Sequence, residues 1–338
     1  MSKTLLLFCG GTISMHKNNE TKALDVSHGY DQLLKLEPRF SQICEVDIEF
    51  IDNIDSTNMT SEHWSRIAET IGKKYNDYDG FVITMGTNTM AYCSAALSFA
   101  LQNIGKPVVL TGAQIPAESL STDARNNFIN ALRLSTLDLA GVFIVFGSKI
   151  IKGCRAKKVS ESELDAFRTF NQKDFGEIGV GTIFNFKQPR HQEPLKVQSK
   201  FTEQIVCLTL IPGLQSNILK GLIDSGTRGF VLRAYGSGDI PYDFEESLLY
   251  AKNKKIPIVV TTQCPGGATV MGINDVGLKA LQTGVIQAFD MCMEAMSTKL
   301  MWLLGQKTPY EKIKDLMETN LIGEVDSSRA AAIMGVGK

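Results

Sequence analysis

The sequence predicts an α/β fold with mainly parallel sheets, divided into two domains. Three observations carry this prediction. Apolar runs of strand length recur along the chain, segments of helical periodicity separate them, and one polar stretch interrupts the alternation. A chain of 338 residues is also long enough for two domains that each bury a core of their own.

The predicted strands are continuous apolar runs. A strand that is apolar on both faces must be buried on both, so such runs are typical of parallel sheets covered by helices on either side. Seven runs fit this description: Leu5–Cys9, Gly80–Thr84, Pro107–Thr111, Val142–Phe146, Ile205–Ile211, Gly229–Ala234 and Ile256–Thr262.

Two of the intervening segments show a helical stripe. Apolar residues recur three or four positions apart, as on the buried face of a helix. In the first segment, Thr60 or Ser61 precedes the stripe as a candidate N-cap. The stripes are Trp64, Ile67, Ala68, Ile71 and Tyr75, and then Ile218, Leu219, Leu222 and Ile223.

A polar stretch at 187–204, which contains Pro189 and Pro194, is interpreted as a linker. It separates an N-terminal α/β domain at 1–190 from a C-terminal α/β domain at 205–338.

Composition argues against several classes of function. Lys plus Arg (35) and Asp plus Glu (36) give a formal net charge of −1, so we expect neither nucleic acid nor membrane as a partner. No apolar run approaches the ~20 residues of a membrane span, and no secretory signal is visible. The seven cysteines show no CxxC spacing, which argues against a zinc or redox motif and predicts a reducing, cytoplasmic location.

Glycines beside hydroxyl or amide residues follow five of the predicted strands. In open α/β sheets this edge binds ligands, and glycine lets the backbone approach them. For any one turn taken alone, turn geometry and helix capping are the better explanation, but five such turns together favour a binding site. The turns are Gly10-Gly11-Thr12, Gly86-Thr87-Asn88, Gly112-Ala113-Gln114, Gly236-Ser237-Gly238-Asp239 and Gly266-Gly267.

The sequence lacks the signatures of several common ligand-binding and catalytic sites. The P-loop, dinucleotide and GxSxG signatures are absent. None of the four histidines follows a predicted strand as the base of a catalytic triad should. His63 and His191 are predicted to be solvated, His28 carries no signal, and His16 is kept as a candidate because it lies close to the first glycine turn.

Without a histidine, a threonine nucleophile needs an amine as its base. Lys149, Lys152, Lys157 and Lys158 follow the strand at Val142–Phe146. For each of them a solvated surface position is the alternative, and spacing alone does not select one.

Several segments resemble family signatures, in family order, from about residue 3 to residue 335. They are Gly10-Gly11-Thr12-Ile13, the stretch 80–92 with Gly86-Thr87-Asn88-Thr89-Met90, Asp55-Ser56-Thr57, Thr111-Gly112-Ala113-Gln114, the region around Lys158, Arg233–Gly238 and Thr262–Cys264. Together they resemble the bacterial-type L-asparaginases, and most closely the cytosolic type I branch.

The resemblance implies hydrolysis of L-asparagine to L-aspartate and ammonia without metal or cofactor, by a homotetramer of intimate dimers. Thr12 is then the nucleophile on a mobile loop, and Thr87 and Lys158 are the second threonine and the base. The resemblance thereby places the threonine and lysine site in the N-terminal domain. Asp55 and Ser56, with Thr57 beside them, hold the α-amino and α-carboxylate groups of the substrate. The backbone N–H groups at Thr87 and Ala113 are candidate donors to the oxyanion.

The chain departs from the family pattern at position 88. The family has an aspartate there that binds the substrate ammonium and completes a relay with threonine and lysine, and this chain has Asn88. An amide carries no charge, so we expect weaker ammonium binding. The same change removes a partner that keeps Lys158 protonated. We expect the lost binding to dominate, so that Asn88 reduces or alters activity.

Two further departures follow. The glycine-rich turn of the family ends in an asparagine, and here Asp239 stands in its place. One hypothesis is that Asp239 restores the charge missing at position 88; the alternative is a turn or capping role. A tyrosine of the flexible loop is also absent from Glu20-Thr21-Lys22-Ala23-Leu24, which weakens the expected orientation of Thr12.

Two alternatives to the hydrolase stay open. One is a degenerate member of the family that binds a small amino acid with little or no turnover. The other is the tRNA-dependent amidotransferase subunit of the same superfamily, which carries an additional N-terminal domain; the first signature begins near residue 5, and this argues against that alternative.

Overall fold

The computed structural model describes residues 1–11, 16–17, 24–25, 38–328 and 331–332. The chain divides into two compact units, Met1–Ser199 and Lys200–Lys338. The division falls inside the range 187–204. Residues 187–199 nevertheless pack as part of the first unit, because Arg190 donates from its guanidinium to the carbonyls of Leu137 (2.9 Å) and Ser135 (3.2 Å).

The first unit contains a large sheet, smaller two-stranded ribbons and three described α-helices. Its strands are β1 (Lys3–Phe8), β2 (His16–Lys17), β3 (Leu24–Asp25), β4 (Glu45–Phe50), β5 (Gly80–Thr84), β6 (Leu101–Gln102), β7 (Pro107–Thr111), β8 (Gly141–Phe146), β9 (Lys149–Lys152), β10 (Ala156–Lys158), β11 (Phe167–Thr169), β12 (Gly176–Ile178), β13 (Thr182–Phe184) and β14 (Lys196–Val197). Its helices are α1 (Ser61–Lys74), α2 (Met90–Ala100) and α3 (Ala124–Thr136), with 3-10 turns at Pro38–Gln42, Ser56–Asn58 and Gly153–Arg155.

The large sheet has the order β13-β12-β9-β8-β7-β5-β1-β4. Strands β4, β1, β5, β7 and β8 are mutually parallel, and β9, β12 and β13 continue the sheet antiparallel. The chain passes from β1 to β4 on one side and then crosses to β5 on the other. The strand order therefore reverses between β1 and β5, and in open α/β sheets ligands bind at this reversal, beyond the carboxyl ends of the strands.

The four apolar runs predicted in this unit form β1, β5, β7 and β8, and β5 and β7 are buried along their whole length. The predicted fold class is confirmed. Strand β4 was not predicted, since its charged residues alternate with apolar ones. Among the described strands it lies at the edge of the sheet, beside β1.

Helix α1 buries Trp64, Ile67, Ala68 and Ile71, as its stripe predicts. Thr60 is the N-cap, and its backbone N–H donates to Nδ1 of His63 at 3.0 Å. The other ring nitrogen, Nε2, lies 3.2 Å from an oxygen of Asp52. The prediction that His63 is simply solvated is therefore wrong, because the ring closes the first turn of the helix.

The second unit has a four-stranded, fully parallel sheet in sequence order. Its strands are β15 (Ile205–Thr209), β16 (Gly229–Ala234), β17 (Ile258–Thr262) and β18 (Ile286–Gln287). Its helices are α4 (Asn217–Asp224), α5 (Glu245–Asn253), α6 (Asp275–Gln282), α7 (Met293–Gly305) and α8 (Tyr310–Glu318), with a 3-10 turn at Tyr242–Phe244. The second predicted stripe lies in α4.

A buried ion pair ties the segment after α8 to α7. Lys299 and Glu324 have no exposed side-chain surface, and Lys299 Nζ lies 2.5 Å from Glu324 Oε1. Lys299 also donates to the carbonyls of Met317 (3.0 Å) and Thr319 (2.7 Å). A buried pair that is also bonded to the backbone resists separation, because removing one partner leaves the other charge uncompensated.

No helix in the described part of the chain is long and apolar enough to cross a bilayer.

Candidate active site

The turns after β1 and β5 meet through main-chain contact. Gly11 has a φ of +92°, and a Cβ built on it would lie 2.1 Å from the nitrogen of Gly86. The hydrogen-bond ladder continues past the strands, since Cys9 N–H donates to the carbonyl of Thr84 at 2.9 Å. Gly11, the residue before position 12 in the sequence, therefore contacts the turn that carries Thr87. Thr12 itself and the segment 20–23 lie outside the described residues, as does His28.

Lys158, the last residue of β10, reaches the turn after β5. Its Nζ donates to Thr87 Oγ1 at 2.8 Å and to Asn88 Oδ1 at 2.9 Å. Thr87 is only 6% exposed, so the hydroxyl and the amine meet largely away from bulk water. This pair combines a hydroxyl with a nitrogen base at hydrogen-bond distance, the geometry required for proton transfer.

Burial lowers the pKa of Lys158 below its ordinary value, and the nearby carboxylates of Glu161 and Asp55 partly oppose this by raising it. Desolvation disfavours the charged ammonium, whereas a nearby negative charge favours it. The net lowering of the Lys158 pKa increases the fraction of neutral amine at a given pH. A lysine acts as a general base only in this neutral form.

The other candidate lysines have different surroundings. Lys149 pairs with Asp165 at 2.8 Å, and the Lys157 ammonium lies 5.8 Å from the centre of the Phe170 ring. Lys152 lines a separate cavity together with Phe175. Of the four candidate lysines, Lys158 is the one whose ammonium lies at hydrogen-bond distance from Thr87.

Asn88 uses both ends of its amide. The oxygen accepts from Lys158 at 2.9 Å, and Nδ2 donates to Thr57 Oγ1 at 3.1 Å. Next to it, Thr89 Oγ1 donates to the carbonyl of Ser56 at 2.8 Å. Asn88 therefore links the lysine to the turn Ser56–Asn58 with a neutral group.

The segment Asp55–Thr57 lies beside this pair. An oxygen of Asp55 accepts from the backbone N–H of Thr57 at 2.7 Å and caps the 3-10 turn. Ser56 is 2% exposed, and its Oγ would lie 2.6 Å from a Cβ built on Gly86. The missing side chain of Gly86 is what allows the two segments to touch.

The turn after β7 also borders the site. A Cβ on Gly112 would lie 2.4 Å from the carbonyl of Met85, so this turn also packs on the β5 end through glycine. Thr87 Oγ1 donates to Gln114 Oε1 at 3.1 Å. The backbone N–H groups of Ala113 and Thr87 have no hydrogen-bond partner among the described residues, which leaves both able to bind an anionic oxygen.

Gln114 is a site residue that sequence reasoning did not single out. Its Nε2 donates to the carbonyls of Glu161 (3.0 Å) and Glu163 (3.1 Å) while its oxygen accepts from Thr87. It thereby fixes the loop after β10 to the turn after β5. Its position in the Gly112-Ala113-Gln114 turn was the only signal in the sequence.

The first unit thus brings together Asp55, Ser56, Thr57, Thr87, Asn88, Ala113 and Lys158. Asp239 belongs to the second unit, in the turn after β16. Its Oδ2 accepts from Asn274 at 2.8 Å, and its backbone N–H donates to the carbonyl of Tyr235 at 2.8 Å. Its Oδ1 is buried and has no hydrogen-bond partner among the described atoms. The proposed exchange of charge with position 88 stays a prediction.

Two family models match the chain. The model described as “Asparaginase, N-terminal” matches residues 3–191. The model described as “Glutaminase/Asparaginase C-terminal domain” matches residues 204–317. The first match contains every site segment described above in the first unit.

Curated proteins resemble the chain over most of its length. The L-asparaginase of Thermococcus kodakarensis is 36% identical over 96% of this chain and 100% of its own length. L-asparaginase 1 of Escherichia coli strain K12 is 36% identical over 94% of this chain and 96% of its own length. A glutamyl-tRNA(Gln) amidotransferase subunit of Pyrococcus abyssi is 33% identical over 96% of this chain and 77% of its own length.

Solved structures agree with the fold. The thermostable L-asparaginase from Thermococcus kodakarensis superposes with a TM-score of 0.86 at 34% identity, over 96% of this chain and 99% of that chain. A probable cytoplasmic L-asparaginase from Campylobacter jejuni superposes with a TM-score of 0.80 at 28% identity, over 95% of this chain and 100% of that chain.

Proposed function

The chain belongs to the asparaginase family, and from this membership we propose that it hydrolyses L-asparagine through a threonine nucleophile. It is an amide hydrolase of the L-asparaginase type. The observation that carries the proposed chemistry is the hydrogen bond between Lys158 Nζ and Thr87 Oγ1 at 2.8 Å. The backbone N–H groups of Ala113 and Thr87 lie beside it, and neither has a hydrogen-bond acceptor among the described residues.

In the first half-reaction, the hydroxyl of Thr12 attacks the side-chain amide carbon of asparagine and forms an ester with it. The carbonyl oxygen gains negative charge, and the N–H groups of Ala113 and Thr87 stabilise it. The proton of the hydroxyl ends on the leaving nitrogen, which departs as ammonia. An acyl-enzyme remains on Thr12.

In the second half-reaction, water attacks the ester and releases L-aspartate. Neutral Lys158, acting through the hydroxyl of Thr87, takes the proton of this water and returns it to Thr12. The lowered pKa of Lys158 supports this role, because it raises the fraction of neutral amine. We propose no cofactor and no metal in either step.

Asp55, Ser56 and Thr57 are proposed to hold the amino acid end of the substrate. Asp55 is exposed and its carboxylate uses one oxygen on Thr57, which supports a role in binding the α-ammonium through a charge-assisted bond. Asn88 lies beside Thr57 as a neutral amide. The proposed Asp239 contribution would add a second carboxylate.

The direct test is ammonia release from L-asparagine, L-glutamine and their D-forms, with L-aspartate identified by NMR. We expect ammonia and L-aspartate in equal amounts from L-asparagine, without ATP or tRNA. Thr12→Ala should abolish turnover and Thr12→Ser should retain part of it, since serine keeps a hydroxyl. Binding of L-asparagine without any ammonia would instead favour the degenerate binding protein.

The amidotransferase alternative has a different requirement. That function predicts ammonia release from L-asparagine or L-glutamine that rises when the tRNA and ATP are supplied together with a partner protein. The chain is similar to the Pyrococcus abyssi amidotransferase protein as well as to L-asparaginases. Full activity of the chain alone would exclude a need for such partners.

We propose a cytoplasmic homotetramer built from two intimate dimers. The seven free cysteines support a reducing compartment, and the probable cytoplasmic L-asparaginase of Campylobacter jejuni is a structural relative. Exposed apolar side chains such as Val180 and Ile183 support burial in an assembly. Analytical ultracentrifugation should give a mass of four chains; a monomer would contradict this.

A further inference from the structure

Asp123 stands at the N-cap of α3 but makes no cap hydrogen bond with its own helix. Its carboxylate turns to the loop after β7 instead. Oδ1 accepts from the backbone N–H of Ile115 at 3.0 Å, and Oδ1 and Oδ2 both lie 3.1 Å from the N–H of Gln114. An aspartate at an N-cap ordinarily accepts a hydrogen bond from a backbone N–H in the first turn of its helix. Here the Asp123 carboxylate accepts from backbone N–H groups of the loop instead.

Asn127, one helical turn later, completes the attachment. It is 1% exposed, and its Nδ2 donates to the carbonyl of Gly112 at 2.9 Å and to Asp123 Oδ2 at 3.0 Å. Its Oδ1 accepts from the N–H of Gly147 at 2.8 Å. Residues four apart share one face of a helix, so both side chains hold the same loop.

The loop is therefore fixed on both sides. Gly112 packs on the carbonyl of Met85 at the end of β5, and α3 holds the carbonyl of Gly112 and the amides of Gln114 and Ile115. Between these attachments lies the N–H of Ala113, which has no partner among the described residues. The direction of this N–H is set by the groups that flank it.

We propose that Asp123 and Asn127 are positioning residues for amide hydrolysis: they aim the N–H of Ala113 at the developing oxyanion and hold Gln114 against Thr87. This inference rests on the proposed function. Neither side chain touches the substrate. An oxyanion donor must be in place before charge develops, and an error of about 1 Å in such a group costs on the order of 100-fold in rate.

The primary variant is Asp123→Asn, which keeps the shape of the side chain but replaces one acceptor oxygen by a donor. We expect kcat for L-asparagine to fall by about 10- to 100-fold, while KM and the Kd of L-aspartate stay nearly unchanged. A loss confined to kcat indicates an interaction made in the transition state.

The matched control is Asn130→Ala on the same helix. Asn130 Nδ2 donates to the carbonyl of Gly147 at 3.2 Å, and among the described residues no hydrogen bond joins Asn130 to the Gly112–Ile115 loop. It should keep the wild-type kcat. Thr122→Val is a milder second variant. It removes two hydrogen bonds of Thr122 Oγ1, which donates to the carbonyl of Ile115 (3.0 Å) and accepts from the N–H of Ala124 (3.0 Å). It should lower kcat less than Asp123→Asn, because the bonds of Asp123 to the loop remain.

Hydrogen exchange of the peptide 108–116 gives a readout that does not depend on turnover. Asp123→Asn should speed exchange at Gln114 and Ile115, and Asn130→Ala should not. A folded Asp123→Asn enzyme with faster exchange and the wild-type kcat would overturn the proposal, as would an equal loss of kcat in Asn130→Ala. If the wild-type chain releases no ammonia, the proposed function fails, and unchanged exchange in Asp123→Asn would overturn the positioning role separately.

Discussion

Lys158 donates to Thr87 Oγ1 at 2.8 Å across 71 positions of sequence, whereas its neighbour Lys157 faces the ring of Phe170. The two lysines are adjacent on β10. Side chains alternate between the two sides of a strand, so only one of the pair can reach the site. This alternation gives a matched comparison between two lysines in nearly the same place.

Lys158→Met should lower kcat for L-asparagine by about 10²- to 10⁴-fold, the usual contribution of a positioned general base. Methionine keeps most of the side-chain volume and removes the amine. Lys157→Met is the control and should keep kcat within a few-fold of wild type. Equal losses in a steady-state ammonia assay would contradict the assignment of Lys158.

Asn88→Asp should move the acid limb of the pH–rate profile to higher pH. Activity rises with pH as Lys158 loses its proton, and a carboxylate at 2.9 Å from Nζ would favour the charged form and raise the lysine pKa. The same change should lower KM through a charged bond to the substrate ammonium. Asn58→Asp, which adds a carboxylate on the neighbouring turn without this contact, should leave the limb nearly in place.

A double-mutant cycle tests the exchange of charge between positions 88 and 239. If Asp239 supplies the carboxylate that Asn88 lacks, Asp239→Asn should weaken L-aspartate binding strongly in the wild-type background and weakly in Asn88→Asp. The measurement is the Kd of L-aspartate for the four proteins by calorimetry. Simple additivity of the two changes would rule the exchange out.

Gly11→Ala should abolish activity and reduce the yield of folded protein. The new Cβ would meet the main chain of Gly86 at 2.1 Å, and the φ of +92° is unfavourable for alanine. Gly147→Ala is the control, since Gly147 also has a positive φ (+59°) but nothing lies within 4 Å of a Cβ there. It should cost only about 1–2 kcal/mol of stability. Comparable folding and activity of the two variants would contradict the contact.

Lys299→Met should destabilise the second unit by about 3–5 kcal/mol, because it leaves the Glu324 carboxylate buried and unpaired. The double variant Lys299→Met/Glu324→Gln should recover much of this loss, since it removes the buried charge. Urea unfolding followed by circular dichroism measures both. A single variant as stable as wild type would show that the pair is not needed.

The sequence predicted β5, β7 and β8, which are buried on both faces, because an unbroken apolar run is typical of a strand with helices on either side. The run Ile205–Ile211 also forms a strand, β15, but its residues are only partly buried or exposed, so the expected burial on both faces is wrong there. The sequence did not predict β4, in which Glu45, Asp47 and Glu49 alternate with less polar neighbours. Among the described strands, β4 is an edge strand beside β1. An edge strand of this kind shows period-two alternation, and a search for continuous runs passes over it.

The site was predicted less completely than the fold. Residue chemistry and spacing gave four lysines as candidates for the catalytic base, and only the resemblance to a family selected Lys158 among them. Gln114 and Asp123 act through contacts with residues 27 and 9 positions away, and neither contact leaves a local pattern in the sequence. His63 was misjudged for the same reason, because its second partner, Asp52, belongs to a different segment.

The strand order of the large sheet has a consequence for folding kinetics. The Gly11–Gly86 junction forms only when β1 pairs with β5, and Leu5 and Phe81 in that pair are far apart in sequence. Non-local parallel pairing is a slow step in folding, because loop-closure entropy must be overcome before the contact is made. Recovery of enzymatic activity during refolding should therefore follow the slowest phase of sheet assembly, after the helices have formed.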